Sequence, residues 1–403
     1  MPMDRETLDA INDWVIEQGL MGLRETDLVD GFCNRLRAGG LEIVGAAVFF
    51  DTLHPVQESE GVFWNVANQN GPEHREFTRQ EAVRNDHLWR SSPFHYMSEN
   101  DLSELHIPLV NADRSRFGII SDLLEEGHTD YFVLMHKLGG ETRIGEVENI
   151  YSRWSTSQPE GFSEDDLNVL RKLVASLALA IKSASLGQIA RSLVEVYLGR
   201  DPGRRVLEGR IERGKVETIR TVLWYSDMEN YTSLSETMES GRLIAFLNDY
   251  ADTVISAVHN AGGDILKLVG DGILAIFNHR DQHEAARAAL QAQADVGRRI
   301  AELNLRRGEE GLATTSVYLA LHEGEVFYGN VGSDERLDFT VIGPAVNEVC
   351  RMAAMCRSVN ETALASREFA ALAPEEGLKA FHNLGSFQLK GVQEQKALFA
   401  LRQ

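Results

Sequence analysis

The sequence predicts a mixed α/β chain in which two sheet-containing regions are joined by a long helix. Three observations carry this. Beyond residue 215, apolar strand-like runs alternate with amphipathic helical stretches and include one hairpin pattern. Over 163–198, apolar residues recur at helical spacing for longer than most globular helices run. Before residue 160, short apolar runs are broken by turn residues. At 403 residues two or three domains are expected. The 43% hydrophobic and 25% charged residues are those of a folded globular protein. A net charge of -21 argues against a nucleic-acid or anionic-membrane surface, which needs a basic face, but leaves room for a nucleotide site built from a few local cations. Three cysteines, Cys33, Cys350 and Cys356, are too few and too scattered for a disulfide framework or zinc site, and suit a reducing compartment. No apolar run reaches the length of a bilayer span. The N-terminus carries acids where a secretory signal carries bases. The expectation is a cytoplasmic protein with no nucleic-acid partner and no membrane span.

In the N-terminal region a helix near 5–18 comes first. Runs at 41–53, 103–111, 130–139 and 145–156 read as strands. Cys33 falls in a helical stretch and reads as a small core residue. His87, His95 and His106 lie along a loop-rich stretch; Trp64, Trp89 and Tyr96 either line a pocket or fill a core. Ser163 and Asp166 read as an N-cap pair. The apolar positions that follow, from Leu167 to Ile181, continue through Ile189, Leu193 and Val196 to a stop at Gly199. The first half of this helix reads as closing its own domain, the second as one member of a parallel pair between two chains. The Gly- and Arg-rich stretch 197–219 is either a solvated linker or a switch that sets the angle between two catalytic domains.

Beyond it, 218–228 is an apolar strand ending in an acid and 240–263 an amphipathic helix stopped by glycines. Residues 264–277, DILKLVGDGILAIF, are strand, tight turn and strand. Residues 282–308 form a helix with alanine along one stripe, 314–332 two strands, and 341–356 a turn entering a helix. The hairpin raises the chemical question, because Asp264 and Asp271 both adjoin glycine. Asp264 follows a helix-ending glycine pair, where polar residues are common for turn reasons. Asp271 sits at the hairpin tip. Mg²⁺ in phosphoryl chemistry takes one or two carboxylates plus substrate oxygens, so Asp271 needs a partner. Asp227, at the end of the preceding strand, becomes that partner if the two strands are neighbours, giving a two-metal phosphoryl-transfer site. Taken singly, each aspartate also fits a cap or turn role.

Four stretches, WYSDMENYTSLSE, GGDILKLVGDGILAIF, ALHEGEVFYGNVG and RLDFTVIGPAVNEVCRM, occur in the order found in class III nucleotide cyclases, and residues 215–403 resemble that catalytic domain. Diguanylate cyclases place GGD at the hairpin tip itself; here GGD precedes the strand and the tip is VGDG, which singles out Asp271. The resemblance implies a ferredoxin-like βαββαβ catalytic domain over 215–403. It implies that Asp227 and Asp271, with the carbonyl of Met228, hold two Mg²⁺ or Mn²⁺ ions, and that Glu229, Asn230 and Tyr231 form the loop that cradles the triphosphate. Lys267 and Thr340 would read the base. A lysine donates to a ring acceptor of adenine and a threonine hydroxyl accepts from its amine, so ATP is the expected substrate; guanylate cyclases carry an acid at the lysine position. Asn347 and Arg351, four apart on one helix face, would orient the ribose and stabilise the transition state, and Lys390 would meet the terminal phosphates. The family's site lies between two chains, so a homodimer is expected. Residues 1–185 are similar to a GAF-type regulatory domain for an unknown small-molecule signal, joined by a helical linker at 186–214. A cyclase homologue that binds nucleotide or signal without turnover is the alternative.

Overall fold

A computed structural model describes residues 3–138, 148–374 and 381–401. The chain divides into two units, Met1–Leu193 and Val194–Gln403.

The first unit opens with α1 (Arg5–Met21) and α2 (Glu25–Ala38). Asp4 caps α1 by accepting from the Thr7 N–H at 2.7 Å. Then come β1 (Gly45–Asp51), β2 (Gln57–Asn65), β3 (Glu73–Thr78), α3 (Arg79–Arg84), α4 (Asp86–Arg90), α5 (Pro93–Glu99), β4 (Glu104–Pro108), α6 (Ile119–Glu125), β5 (Asp130–Lys137), β6 (Asn149–Thr156) and α7 (Glu164–Leu198). The strands form an antiparallel sheet in the order β3-β2-β1-β6-β5-β4. Phe32, Leu36, Trp154, Leu170, Leu173 and Leu177 join α1, α2 and the first half of α7 to one face. Met97, Ile120, Tyr131, Val133 and Met135 join α5 and α6 to the other.

The sequence missed β2 and β3, because β3 is a polar edge strand whose first four residues are exposed and carries almost no apolar signal. The stretch holding His87, His95 and His106 is not loop-rich: the first two lie on α4 and α5 and the third on β4. His106 Nε2 lies 2.8 Å from the buried Asp130, which also accepts the Phe162 N–H at 2.9 Å. That histidine ties β4 to the start of α7. The predicted strand start at 145–147 lies outside the described residues. Ser163 and Asp166 do exchange capping bonds, 3.2 Å from the Asp166 N–H to Ser163 Oγ and 2.9 Å in return. By length and composition α7 passes for a membrane span, against the expectation of no such run, but Leu167, Leu170, Leu173, Val174, Leu177 and Ile181 are core.

The second unit comprises α8 (Arg200–Leu207), β7 (Val216–Met228), α9 (Tyr231–Thr237), α10 (Ser240–Asn260), β8 (Asp264–Val269), β9 (Gly272–Phe277), α11 (Gln282–Glu309), β10 (Val317–Gly332), β11 (Leu337–Ile342), α12 (Pro344–Val359), β12 (Ala363–Ser366), α13 (Arg367–Ala370), β13 (Phe381–Phe387) and β14 (Lys396–Leu401). Its core runs β7-α10-β8-β9-α11-β10, and those strands lie side by side as β10-β7-β9-β8. This is the predicted βαββαβ arrangement, with the first strand at the centre. β14, β12 and β13 extend the sheet beyond β10, and β11 pairs with the far end of β10. Residues 317–332 form one strand rather than the predicted two. Gly324 sits mid-strand as a packing position: a Cβ there would lie 2.6 Å from Ala345 Cβ. The alanine stripe of α11 (Ala285, Ala289, Ala292) lets it lie close beside α10, both on one face of the sheet. On the other face α12 seats Val349, Met352, Ala353 and Cys356 against Leu223, Ile276 and Ala320.

Candidate active site

Strand β7 delivers Asp227 to the edge of the buried sheet. Residues 222–224 are fully buried; Asp227 and Met228 are the last residues before the chain turns at Glu229 and Asn230. Asn230 adopts φ 61°, the left-handed conformation that asparagine tolerates better than most residues, and passes the chain straight into α9. Because β7 and β9 are neighbours, the β8–β9 hairpin tip arrives beside this strand end. Val269 and Gly272 flank the two-residue turn, and Gly270 at φ 66° supplies the positive φ that a type II′ turn needs first. Gly272 is required for space, since a Cβ there would lie 2.3 Å from the Tyr225 hydroxyl.

The hairpin tip is pinned: the Met228 N–H donates to Asp271 Oδ2 at 3.0 Å. This puts the Asp227 and Asp271 carboxyl groups together. The Asp227 carboxyl is raised to about 7, first by burial and then by its hydrogen bond to and charge from Asp271. Burial, followed by the charge of Asp227, also pushes the Tyr225 phenol up to about 12. The two aspartates open into a cleft of about 440 Å³ lined also by Asn230, Tyr231, Thr232, Ser233, Glu236, Tyr318 and Arg357. Tyr318 donates to Glu229 Oε1 at 2.9 Å, so Glu229 is held back against β10.

Three lining carboxylates face one guanidinium, so a polyphosphate gains entry only with cations that neutralise the acids. Hard oxygen donors suit Mg²⁺ or Mn²⁺. No group of three or more His, Cys, Asp or Glu able to hold a metal exists among the described residues. Asp227, Asp271 and the Met228 carbonyl are the residues that would hold these ions.

The remaining predicted residues lie outside this cleft. Lys267 is half-exposed on β8, one residue beyond a register shift at Ile265–Lys267, and pairs with Asp338 on β11. Lys267 and Thr340 are the expected base-reading pair, and the side chain that Lys267 contacts in this chain is Asp338. Thr340 is buried two residues along the same strand, hence on the same strand face. Asn347 and Arg351 are exposed along α12, and Lys390 is exposed in the turn between β13 and β14. Asp264 is not at the metal position: it starts β8, where burial raises its carboxyl and the Asp201 N–H donates to it. Sequence reasoning missed Asp338, Tyr318 and Arg357. Strand alternation from Thr340 was the available signal for Asp338. Arg357 lies in the last turn of α12, where a basic residue reads as a helix-end charge.

Residues 215–403 match the model of the adenylate and guanylate cyclase catalytic domain. This match falls wholly within the second unit. Among curated relatives, the cyclase domain is similar to an adenylate cyclase of Anabaena cylindrica, 31% identical over 219 residues covering 54% of this chain and 40% of that protein. It is also similar to adenylate cyclase 1 of Rhizobium meliloti, 28% identical over 41% of this chain and 25% of that protein. The chain thus spans well under half the length of these relatives. Among solved structures, the adenylyl cyclase CyaB from P. aeruginosa aligns with TM-score 0.42 and 23% identity, covering 47% of this chain and 96% of that one. The guanylyl cyclase Cya2 aligns with TM-score 0.41 and 24% identity, covering 46% and 93%.

Proposed function

We propose that the chain is an adenylate cyclase that converts ATP to 3′,5′-cyclic AMP and pyrophosphate at sites shared by two copies of the chain. The observation that carries this reading is the carboxylate pair Asp227–Asp271, held at the end of β7 in an acid-lined cleft. Two Mg²⁺ or Mn²⁺ ions, when bound, lower the pKa of the ribose 3′-hydroxyl and neutralise the leaving phosphates. Asp227, Asp271 and the Met228 carbonyl would hold them, and the turn at Glu229, Asn230 and Tyr231 would lie against the triphosphate. The 3′-hydroxyl gives its proton to water, and the 3′-oxygen forms a bond to the α-phosphorus as the bond to the pyrophosphate oxygen breaks. Lys267, held by Asp338, donates to the adenine ring, and Thr340 accepts from its amine. Asn347 orients the ribose, Arg351 meets charge developing on the phosphate, and Lys390 meets the terminal phosphates.

The separation of these residues supports a homodimer: the aspartates line the cleft of one chain, while Asn347 and Arg351 stand exposed outside it. Leu179, Leu186 and Leu193 recur every seven residues along α7, with Leu179 and Tyr197 exposed, which supports a parallel helix pair. The N-terminal region acts as a GAF-like regulatory domain for a small-molecule signal, relayed through 186–214. An antiparallel sheet between two helical layers supports that assignment. The protein works in the cytoplasm.

The test is a product assay with ATP or GTP and Mg²⁺ or Mn²⁺, with Asp271→Ala as control. Cyclic AMP that vanishes in the control is expected. Product from GTP alone reassigns the substrate, and nucleotide binding without turnover makes the domain a binding module.

A further inference from the structure

A second group of ionisable side chains lies beneath α12, outside the cleft. His322 on β10 is 3% exposed. Its Nδ1 lies 2.9 Å from Ser366 Oγ and its Nε2 3.3 Å from Glu348 Oε2 on α12. The same Glu348 oxygen lies 3.0 Å from Lys396 Nζ on β14. Glu368 on α13 stands 4.0 Å from His322 Nδ1 and 3.9 Å from Lys396. Glu323, next along β10, is buried and paired with Arg220 of β7; Glu394 adds its charge to Lys396. Ser366 Oγ accepts the Phe369 N–H at 3.1 Å and shares a second hydrogen bond with His322 Nδ1. Serine, histidine and acid are the composition of a nucleophilic triad, but Ser366 is 1% exposed and committed as the cap of α13.

The cluster has a different use. The apolar seat of α12, built from Ala345, Val349 and Met352, is non-directional and tolerates small rotations of the helix. A charge-assisted pair adds direction. Glu348 directly follows Asn347 and precedes Arg351 by one turn, and it points inward where those two are exposed. Gly324 lets this first turn approach β10, since a Cβ there would also lie 3.2 Å from His322 Nε2.

We propose that Glu348, held by Lys396 and His322, is a positioning residue that fixes the rotation of α12 and thereby the placement of Asn347 and Arg351 toward the partner's nucleotide. The inference rests on the catalytic role proposed for those two residues. Burial holds the imidazole of His322 below its ordinary range, opposed by Glu348 and Glu368 and assisted by Lys396. At neutral pH the ring is uncharged and the negative charge of Glu348 belongs to Lys396.

The test uses the full-length chain. Glu348→Gln is expected to lower kcat by about ten- to a hundredfold, the scale of a roughly 1 Å misplacement of a catalytic group, with KM for ATP little changed. Mixing resolves positioning from folding. A Glu348→Gln chain mixed with an Asp271→Ala chain should regain activity, because one rebuilt site takes its aspartates from the first and an undisturbed α12 from the second. Mixed with Arg351→Ala it should gain nothing over its own residual activity, since both chains are impaired in the same half. Full kcat in Glu348→Gln, or no recovery with Asp271→Ala while Asp271→Ala and Arg351→Ala do recover together, overturns the inference. Should that control pair also fail, the shared-site reading falls, and a KM rise without loss of kcat still rejects the positioning role. Should Glu348→Gln fail to fold, Lys396→Gln replaces it in the same mixtures with the same expectations.

Discussion

Removing divalent metal should make the catalytic unit less stable at pH 8 than at pH 5, and Asp271→Asn should abolish part of that difference. The reason is the forced contact of Asp227 with Asp271. The Asp227 carboxyl rises from an ordinary 3.8 to about 7, so between those values the folded chain binds a proton that the unfolded chain has released. Stability is then fully present below the unfolded value and falls as pH rises through the folded one. At face value the gap corresponds to about 4 kcal/mol. Burial is its largest cause and Asp271 the next, and the pair faces an open cleft where solvent screens it. The share that Asp271→Asn removes is therefore about 1 kcal/mol. For a unit of this size that is roughly 2–4 °C in Tm. The asparagine oxygen still accepts the Met228 N–H, so the hairpin tip stays pinned. The assay is thermal unfolding in chelator at pH 5 and pH 8, repeated with Mg²⁺ or Mn²⁺. Asp271→Asn should match the parent at pH 5, exceed it at pH 8, and lose most of the metal-dependent gain. Parallel pH curves for the two chains would refute the claim that these carboxylates repel each other across one site.

Other consequences follow from the same geometry. Asp338→Ala frees Lys267 from its partner on β11; kcat/KM for ATP should fall by about tenfold, the scale of one charge-assisted hydrogen bond, and the ATP-to-GTP ratio should narrow, both read by product assay. Asp271→Ala and Arg351→Ala chains, each inactive alone, should recover activity when mixed; a mixture as inactive as its parents removes the shared site. Gly272→Ala drives a Cβ to 2.3 Å from the Tyr225 hydroxyl and should cost about 1–3 kcal/mol in denaturant unfolding, partly recovered in a Tyr225→Phe background. A chain starting at Val194 should differ from the full chain in basal rate; identical rate and dimerisation remove the regulatory reading of the N-terminal region.

Periodicity and turn chemistry, which are local, determined much of this protein. The hairpin tip VGDG, the capping pair Ser163–Asp166 and the alanine stripe of α11 each announce themselves within a few residues, because glycine, serine and alanine there answer requirements of the backbone or of one helix face. Motif order then named Asp227 and Asp271 as a pair before any contact between them was visible. Where local signal is weak, the sequence stayed silent: β3 is polar because it is an exposed edge, and β10 looked like two strands because the polar stretch His322, Glu323, Gly324, Glu325 separates two apolar runs. Only the tertiary structure decided which distant residues meet. It brought Asp338 to Lys267 across 71 residues, put Arg357 into the aspartate cleft, and gathered His322, Glu348 and Lys396 from two strands and a helix. Those pairings depend on sheet order and helix rotation, which arise from burying apolar faces that belong to every element at once and cannot be read from any one of them.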